Sequence, residues 1–376
     1  MKHVKVVSRE DYLSFIEKQP LGNFMQYPSW AEVKTEWEND RLGWFDEEGK
    51  LVGCGLVLYR KLPGLNKYLA YIPRGPVINW KDKNLKDWFE PLFQYLRERN
   101  TFSVKMEPPV VRAKWKTPTI RKYLKEIRDH DLKGKRLRDL GPDEVDGHAE
   151  YVLQELNDMG WKGSEGEGGF SAIQPQYVFR LPLKGRTLDE IFADFHTNWR
   201  RNVRKSEKQG VEVTVGKGEE DLREFYELLK VTAERDRFTV RSFSYFQTMY
   251  RALSEENPNR IRLYMARHEG QLLASTIFTQ TNGHTWYLYG ASSNEKREKM
   301  PNHAIQWRMI QDAHAMGAHT YDFRGISDTL DQSDPLYGLL RFKLGFGGEA
   351  CQLIGEWDYP LQPLLHWAFD MYMKKR

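Results

Sequence analysis

Residues 48–58 read EGKLVGCGLVL, and residues 269–279 read EGQLLASTIFT. The two stretches agree in residue type at successive positions: Glu, Gly, a polar residue, Leu, an apolar residue, three small residues and two apolar ones. In each stretch the glycine permits a tight turn, and the apolar run after it has the length of a strand. Both stretches therefore predict a β-hairpin.

The same order of elements follows both stretches. A helical pattern at 85–99 precedes a strand-like run at 102–107, and a helical pattern at 301–316 precedes a strand-like run at 320–323. The hairpins are 221 residues apart, and the later strands are about 217 residues apart. Because order and spacing agree, the sequence predicts an internal duplication.

The second copy shows the clearer pattern. Residues 188–208 are predicted to be helical, with Phe192, Phe195, Trp199 and Val203 on one apolar stripe. Helices covering a mixed sheet define an α/β (α+β) class, and the order is that of the GNAT acyltransferase topology, by analogy. The other predicted elements are strands at 177–181, 211–215, 261–267, 271–280 and 284–290, and helices at 221–234 and 243–254.

The domain boundaries follow from the duplication and from one segment of unusual composition. Residues 160–172 (GWKGSEGEGGFSA) are rich in glycine and acidic residues, which is typical of a linker or a mobile loop. We therefore predict a first GNAT-like domain at 1–172 and a second at 173–350. Residues 351–376 are a candidate closing strand and helix, and the first domain is one that they can complete.

The composition is that of a globular protein. The chain has 376 residues, of which 40% are hydrophobic and 29% charged, and its net charge is +4. These values exclude disorder as the main state and exclude a nucleic-acid footprint spread over the whole chain. Because no apolar run approaches about 18 residues and the N-terminal residues lack an apolar signal segment, we expect a cytoplasmic protein. Cys54 and Cys351 lie in apolar stretches and are predicted to be core residues.

Basic residues are concentrated in one predicted helix. Segment 199–210 (WRRNVRKSEKQG) has five basic groups and one acidic group. Arg200, Arg204 and Lys208 recur every four residues, on the face opposite the apolar stripe. This face is either a solvated surface or a contact for the phosphates of RNA or anionic lipid.

Two other segments are also basic. Residues 121–138 contain eight basic and three acidic residues, interrupted by apolar ones. Lys374-Lys375-Arg376 is either a frayed tail or a contact with an anionic membrane surface.

Several motifs of common enzyme classes are absent from the sequence. There is no GxxxxGK[ST], no GxGxxG, no HExxH and no GxSxG. The ten histidines show no metal-ligand spacing, so no metal site is predicted. GNAT enzymes hold the pyrophosphate of CoA with a glycine-rich loop before a helix, and the corresponding segment 296–304 has no glycine. A CoA cradle is therefore disfavoured.

Six segments, taken together and in order, resemble one family, the FemABX peptidoglycan peptidyltransferases. The resemblance extends from about residue 20 to residue 358, and the family has two GNAT-like domains. Only a short connection, Gly210 to Leu222, stands where larger members insert a helical-hairpin arm, so the chain resembles the compact, FemX-like type. The segments are FMQYPSWAEVK (24–34), YIPRGPV (71–77), NWRRNVRKSEKQGVEV (198–213), ERDRFTVRSFSYF (234–246), YDFRGIS (321–327) and PLYGLLRFKLGFGG (335–348).

The resemblance implies an aminoacyltransferase of cell wall synthesis. Members use aminoacyl-tRNA as a co-substrate, with no cofactor, and add an amino acid to the stem-peptide amine of a precursor. The acceptor would be UDP-MurNAc-pentapeptide or lipid II. The basic face with Arg200, Arg204 and Lys208 then becomes the candidate tRNA contact, and peripheral contact with an anionic membrane at its inner face is compatible with a lipid acceptor.

The resemblance also implies site residues. Lys34, Arg241 and Tyr245 match residues at the diphosphate or sugar of the precursor. Tyr289 is similar to a substrate-contacting tyrosine, with Tyr287 as a rival assignment. Phe342 and Lys343 match the RFKxGF segment, whose lysine is implicated in stabilising the reacting ester.

The chemistry requires few groups, because an aminoacyl ester is already activated. Lys343 can stabilise the oxyanion of the tetrahedral intermediate. A carboxylate, Glu107 or Asp322, can accept the proton of the attacking amine. The family often has Asp-Pro where this chain has Glu107-Pro108, so the carboxylate is kept with a longer reach.

Each candidate also has a structural interpretation. Lys34 can be an ordinary helix-face lysine, and Arg241 can pair with Glu234 or Asp236. Both tyrosines can be core aromatics with a hydrogen-bonded hydroxyl. A buried Asp322 would need a partner such as Arg324 or a backbone amide. Lys343 can extend its charged end to solvent from a packed helix.

Three other functions remain open at this point. One is tRNA-dependent transfer to a phospholipid head group or a protein N-terminus. Another is a CoA-dependent N-acyltransferase. The third is a binding module for RNA or a membrane surface, without catalysis, that uses the basic helix.

Overall fold

The structure is a computed structural model that describes residues 2–20, 22–127, 129–164 and 173–374. The chain divides into two compact units. Unit 1 consists of Met1–Lys114, Pro142–Tyr177 and Cys351–Arg376, and unit 2 of Trp115–Gly141 and Val178–Ala350.

The helices are short to medium in length. They are α1 (Arg9–Ile16), α2 (Pro28–Val33), α3 (Lys86–Glu98), α4 (Thr117–Glu126), α5 (Gly147–Asp158), α6 (Leu188–Ala193), α7 (Thr197–Lys208), α8 (Glu219–Asp236), α9 (Phe243–Glu256), α10 (Pro301–Ala315), α11 (Tyr337–Leu344) and α12 (Pro363–Lys374).

The strands are β1 (His3–Val6), β2 (Glu38–Phe45), β3 (Leu51–Lys61), β4 (Tyr68–Ile72), β5 (Thr101–Met106), β6 (Val111–Lys116), β7 (Glu144–Val145), β8 (Lys162–Ser164), β9 (Tyr177–Pro182), β10 (Glu212–Val215), β11 (Ile261–His268), β12 (Gln271–Thr281), β13 (His284–Ser292), β14 (Thr320–Gly325), β15 (Glu349–Leu353) and β16 (Glu356–Pro360).

Unit 1 is built on a sheet whose described strands follow the order β1-β2-β3-β4-β5-β16-β8. Neighbouring strands are antiparallel except β4 and β5, which are parallel and joined through α3. α3 is amphipathic, and each large apolar side chain that it buries contributes about 2 kcal/mol to folding. The buried side chains of α3 are Trp88, Phe89, Leu92, Phe93 and Leu96.

Unit 2 repeats this arrangement. Strands β11, β12 and β13 form an antiparallel meander, and β10, which precedes α8 and α9, pairs antiparallel with β11. β14 pairs in parallel with β13 after α10, and β9 pairs antiparallel with β14. In both units three antiparallel strands, a helix and a parallel strand follow one another. The predicted hairpins are confirmed, since Gly49 (φ 78°) and Gly270 (φ 80°) occupy left-handed positions at their turns.

The predicted helix 188–208 is wrong in one respect, because two helices, α6 and α7, occupy this range. Between them the backbone N–H of His196 donates to Gly345 O at 2.8 Å rather than to a helical carbonyl. The Arg200 guanidinium donates to Ala193 O and Phe195 O, which lie at the break. A tertiary contact and a side-chain cap therefore replace the helical bonds that the apolar stripe predicted.

The compact units differ from the predicted domain limits at 115–141, which the sequence placed in the first domain. α4 begins where Thr117 N donates to Gly348 O at 2.9 Å, and Arg136 forms an ion pair with Asp328 at 2.6 Å. These partners are distant in sequence, which explains why local patterns missed them. Residues 351–376 lie in unit 1, where β16 pairs with β5 and β8.

Two further predictions concern the buried cysteines and the linker segment 160–172. Cys54 and Cys351 are free and buried, as predicted. Residues 165–172 of the predicted linker lie outside the described residues, and Lys162–Ser164 form β8.

Candidate active site

Lys343 is a buried lysine in unit 2, on α11, with 2% of its surface exposed. Its ammonium donates to Gly325 O at 2.5 Å and is 3.5 Å from Arg324 O, at the end of β14. Burial lowers the pKa of Lys343 to about 7, with Arg324 acting in the same direction and Asp322 against it. The alternative that Lys343 extends its charged end to solvent therefore does not hold.

The segment that carries Lys343 packs closely against α7, where the backbone at Gly345 lies against the indole ring of Trp199. A Cβ on Gly345 would overlap the ring of Trp199, so only glycine lets α7 come this near. Trp199 Nε1 donates to Phe342 O at 3.1 Å. The segment RFKLGFGG therefore has a packing requirement as well as a lysine.

Asp322 is a buried carboxylate on β14 with three donors around it. Arg180 Nε lies 3.0 Å away, His284 Nε2 3.2 Å away, and the backbone N–H of Arg324 donates at 2.7 Å. Burial raises the pKa of Asp322, but His284 and the two arginines outweigh it and hold that pKa well below the ordinary value. Asp322 is therefore an anion at neutral pH.

Arg324 connects Asp322 to Lys343 through its backbone. It has a left-handed conformation with φ 65°, which is unusual for a residue with a side chain. Its N–H bonds Asp322, while Lys343 contacts its carbonyl group. Arg324 thus contacts an anion through its backbone N–H and a cation through its backbone carbonyl group.

A second group in unit 2 contains Arg241, Tyr245 and Tyr289. The hydroxyls of Tyr245 and Tyr289 are hydrogen-bonded, and the Arg241 guanidinium lies 5.7 Å from the ring centroid of Tyr245. Burial raises the pKa of Tyr245, and the positive charge of Arg324 opposes that rise. Arg324 is therefore near both groups.

The structure also bears on two alternatives that the sequence left open, namely the partner of Arg241 and the choice between Tyr287 and Tyr289. Asp236, which we considered as a partner for Arg241, pairs instead with Arg235 at 2.8 Å. A bulge in the pairing of β12 with β13 separates Tyr289 from Tyr287. Burial raises the pKa of Tyr321, and Tyr287 adds to that rise, whereas Tyr289 is hydrogen-bonded to Tyr245.

Glu107 is a buried carboxyl in unit 1, just after β5, with 1% of its surface exposed. Both its oxygens lie 3.0 Å from the hydroxyl of Tyr71, and the N–H of Arg74 lies 3.4 Å from Oε2. Burial raises the pKa of Glu107 to about 7, and Glu356 adds to this, while Arg74 and Tyr71 lower it. Glu107 can therefore gain or lose a proton near neutral pH.

Lys34 ends α2 in unit 1 and is partly buried, with its ammonium 4.9 Å from the centroid of Trp30. The turn after it bonds Trp37 N to Lys34 O at 2.8 Å. The ring of Trp37 then lies 6.2 Å from Tyr71, which bonds Glu107. Trp37 and Tyr71 therefore lie between the turn after Lys34 and the buried carboxyl group of Glu107.

The three basic candidates of α7 have different surroundings. Arg200 is engaged by carbonyls at the end of α6, and Arg204 lies over the ring of Phe192, 5.4 Å from its centroid. Arg204 and Lys208 are exposed. Arg200 therefore has a structural role that the helical spacing did not reveal.

A cluster of positive charge also surrounds His196 at the start of α7. Burial and the charges of Arg121, Arg200 and Arg341 lower the pKa of His196. Arg121 donates to Leu344 O at 2.6 Å, one residue beyond Lys343. We call Arg121, Arg200 and Arg341 the arginine cluster.

Within unit 2, Arg324 connects the group of Lys343, Phe342 and Asp322 with the group of Arg241, Tyr245 and Tyr289. Within unit 1, Lys34 and Glu107 are related only indirectly, through Trp37 and Tyr71. The sequence analysis missed Arg180, His284, Tyr71 and Arg74 as partners of these groups. Tyr71 and Arg74 were visible in YIPRGPV, one of the segments that carry the resemblance. Arg180 and His284 had no such signal, because their pairing depends on strands β9, β13 and β14 meeting.

Among residues 2–20, 22–127, 129–164 and 173–374, no group of three or more His, Cys, Asp or Glu could hold a metal ion. In those ranges no helix has the length and apolar character that crossing a bilayer needs.

Comparison with known proteins gives a consistent result. The model of the FemAB family matches residues 7–267 and 259–374. The lipid II:glycine glycyltransferase of Staphylococcus epidermidis is 28% identical, over 96% of this chain and 93% of that protein. The protein of the same name from Staphylococcus aureus is 27% identical, over 95% and 93%.

Solved structures agree with the predicted fold class. The crystal structure of FemX has a TM-score of 0.80 and 25% identity, covering 97% of this chain and 99% of that one. A tandem GNAT protein from the clavulanic acid biosynthesis pathway has a TM-score of 0.52 at 12% identity, covering 96% and 99%. The predicted class, two GNAT-like mixed sheets flanked by helices, is confirmed.

Proposed function

Because the chain belongs to the FemAB family, we propose that it transfers an amino acid from aminoacyl-tRNA to the stem-peptide amine of a peptidoglycan precursor. The observation that carries the proposal is Lys343. It is a buried lysine whose pKa is near 7, held by carbonyl groups on the segment RFKLGFGG. The names of the relatives favour lipid II as the acceptor, over the soluble UDP-MurNAc-pentapeptide.

The ester of an aminoacyl-tRNA needs no further activation. The acceptor amine attacks the ester carbonyl, the carbon–oxygen bond to the tRNA ribose breaks, and an amide forms. The proton that the amine loses is returned to the ribose oxygen, which leaves as a hydroxyl group. In the tetrahedral intermediate the carbonyl oxygen carries negative charge, which the ammonium of Lys343 can stabilise in a site with little water. Because the donor is already fixed before the reaction, it needs no reorganisation when the negative charge develops.

The amine must lose a proton as it attacks. We assign this proton to Glu107, because a carboxyl with a pKa of about 7 is half ionised near neutral pH and can accept it. Asp322 remains an anion bound by Arg180 and His284, so it is a poor proton acceptor. We assign Asp322 to positioning Lys343 and Arg324.

The acceptor also carries a diphosphate and sugars. Lys34 and Arg241 supply cations for the phosphates, and an arginine can bind two oxygens at once. Tyr245 and Tyr289 offer hydroxyls and ring faces for the sugar or peptide. Phe342 adds an apolar surface one residue before Lys343.

The donor is a polyanion, and two basic features of unit 2 suit it. Arg204 and Lys208 are exposed on α7, and the arginine cluster is built onto the same segment as Lys343. A tRNA acceptor end bound by these residues would bring its 3′ ester to α11. Nonspecific phosphate contacts of this kind make binding strongly salt-dependent.

A CoA donor is disfavoured by the backbone before α10. There Lys299 N donates to Lys296 O and Met300 N donates to Arg297 O. These amides are used within a turn, whereas a pyrophosphate cradle needs amides that point at the ligand.

The transfer assay tests the proposal. Purified protein is mixed with a pool of radiolabelled aminoacyl-tRNAs and with lipid II or UDP-MurNAc-pentapeptide. We expect label in lipid II, and we expect RNase treatment of the tRNA pool to abolish it. Transfer to neither precursor, with tRNA binding intact, would contradict the acceptor and lead to phospholipid or protein acceptors.

Binding of uncharged tRNA tests the basic residues separately. Arg121→Gln combined with Arg341→Gln should weaken binding and reduce the slope of log affinity against log salt by about 2. The control is Arg223→Gln with Arg251→Gln, which removes two exposed arginines of unit 2 that pair along their own helices. An equal loss in both variants would contradict a specific role for the arginine cluster.

A further inference from the structure

The last helix, α12, exposes an apolar face that the proposed chemistry does not use. Leu364, Trp367 and Met371 are 86%, 63% and 43% exposed, and their spacing of i, i+3 and i+7 places them on one side of the helix. Tyr372 and Met373, in the last turn of the same helix, are 55% and 51% exposed. Of the thirteen large apolar side chains exposed in the described part of the chain, five therefore lie on α12.

The opposite face of α12 already holds the helix on unit 1. Gln362 N donates to Phe102 O at 2.9 Å, immediately before the helix begins. His366 is buried and bonds Ser103 at 2.9 Å, and the ring of Phe369 packs edge-on against Phe102 at 5.4 Å. The outer apolar side chains are therefore not needed to attach α12.

The sequence of segment 363–376 has a net positive charge, because three basic residues outnumber one acidic residue. Asp370 is the acidic residue of segment 363–376, and it lies 3.3 Å from Nε2 of His366. The sequence ends this segment with Lys374, Lys375 and Arg376. An apolar face followed by three basic residues complements a surface that is apolar beneath and anionic above.

We propose that the outer face of α12 binds the surface of an anionic phospholipid bilayer. Trp367 and Tyr372 are the residue types that favour the boundary between head groups and acyl chains. Leu364 and Met371 would enter the acyl region, and the basic end would contact anionic head groups. Binding is a property of α12 and needs neither donor nor acceptor, so it can be tested apart from the transfer reaction.

The experiment is co-sedimentation of the full chain with vesicles of phosphatidylcholine, with or without phosphatidylglycerol. We expect binding to the vesicles that contain phosphatidylglycerol, and we expect added salt to weaken it. Leu364→Gln combined with Trp367→Gln should reduce the bound fraction about tenfold, because the buried apolar area is lost. Lys374→Gln, Lys375→Gln and Arg376→Gln together should remove the preference for phosphatidylglycerol.

The matched control is Val145→Gln with Val231→Gln, which removes two exposed apolar side chains elsewhere, and it should bind like the wild-type chain. Circular dichroism of each variant confirms that it is folded. Absence of wild-type binding to either vesicle, or equal losses in control and α12 variants, would overturn the proposal. A dimer in solution that the Leu364 and Trp367 substitutions dissociate would overturn it too, since a second copy would then cover the face.

Discussion

Glu107 and Asp322 are both buried carboxyl groups at the parallel strand that ends each copy of the repeated motif. Glu107 follows β5 and Asp322 lies in β14, yet their pKa values are shifted in opposite directions. Glu107 in unit 1 accepts mainly from a neutral hydroxyl, that of Tyr71, and burial raises its pKa to about 7. Asp322 in unit 2 has Arg180 and His284 beside it, and its pKa is held low.

This difference shows that burial alone does not decide what a carboxyl group can do. Burial raises the pKa of both groups. Only at Asp322 do the charged partners lower the pKa by more than burial raises it. Duplicated topology thus supports one carboxyl suited to proton transfer and one suited to fixing cations. Four substitutions test this division, from the largest expected effect to the smallest.

Lys343→Met removes the cation that Asp322 and the carbonyl groups of residues 324 and 325 position. We expect kcat for transfer to fall about 10²- to 10³-fold, because an oxyanion donor is lost, with little change in acceptor affinity. Single-turnover transfer and equilibrium binding of the acceptor measure the two quantities. Lys230→Met, at an exposed lysine of unit 2, is the control, and an equal loss there would contradict the assignment.

Asp322→Asn leaves Arg180 without its buried anion. We expect the free energy of unfolding to fall by about 3 kcal/mol, measured by urea denaturation. Because Asp322 raises the pKa of Lys343, its removal should also move the inflection of the pH–rate profile to lower pH. Asp328→Asn breaks the ion pair of another buried carboxylate, with the partly exposed Arg136, and should destabilise the chain without moving that inflection.

Glu107→Gln removes the carboxyl with the raised pKa. The folded state keeps its proton up to a pKa of about 7, whereas the unfolded chain releases it near the ordinary value of 4.5. The free energy of unfolding of the wild-type chain should therefore decline as pH rises between these values, by about 2–3 kcal/mol more than in the variant. Urea denaturation from pH 4 to 8 measures this, with Glu150→Gln, at an exposed carboxylate, as control.

An unchanged pH dependence in Glu107→Gln would show that Glu107 is ionised like Asp322, and the comparison would fail. Transfer should fall in the same variant, because Gln cannot accept the proton of the amine.

Tyr71→Phe removes one hydrogen bond to the ionised form of Glu107. The pKa of Glu107 should rise further, and stability above pH 7 should fall by about 1 kcal/mol, with a smaller loss at pH 5. Tyr68→Phe is the control, since its hydroxyl bonds the exposed Glu38. Losses that do not depend on pH would show that Tyr71 contributes packing only.

The repeat EGKLVGCGLVL and EGQLLASTIFT predicted both hairpins, because glycine turns and apolar runs are local features. Helices α3 and α10 and the strands after them followed from periodicity in the same way. The break between α6 and α7 did not, since it depends on Gly345 and on the guanidinium of Arg200. The placement of 115–141 with unit 2 likewise depends on bonds to Gly348 and Asp328.

The sequence by itself determined the duplicated topology, the buried cysteines, and the residue types available for the chemistry, because spacing and side-chain chemistry are encoded along the chain. Only the tertiary structure decided which carboxyl keeps its charge, that Lys343 is buried, and that Arg200 caps a helix. These properties arise from neighbours far apart in sequence, whose distance and burial set the local dielectric and hence every pKa that the proposed mechanism uses.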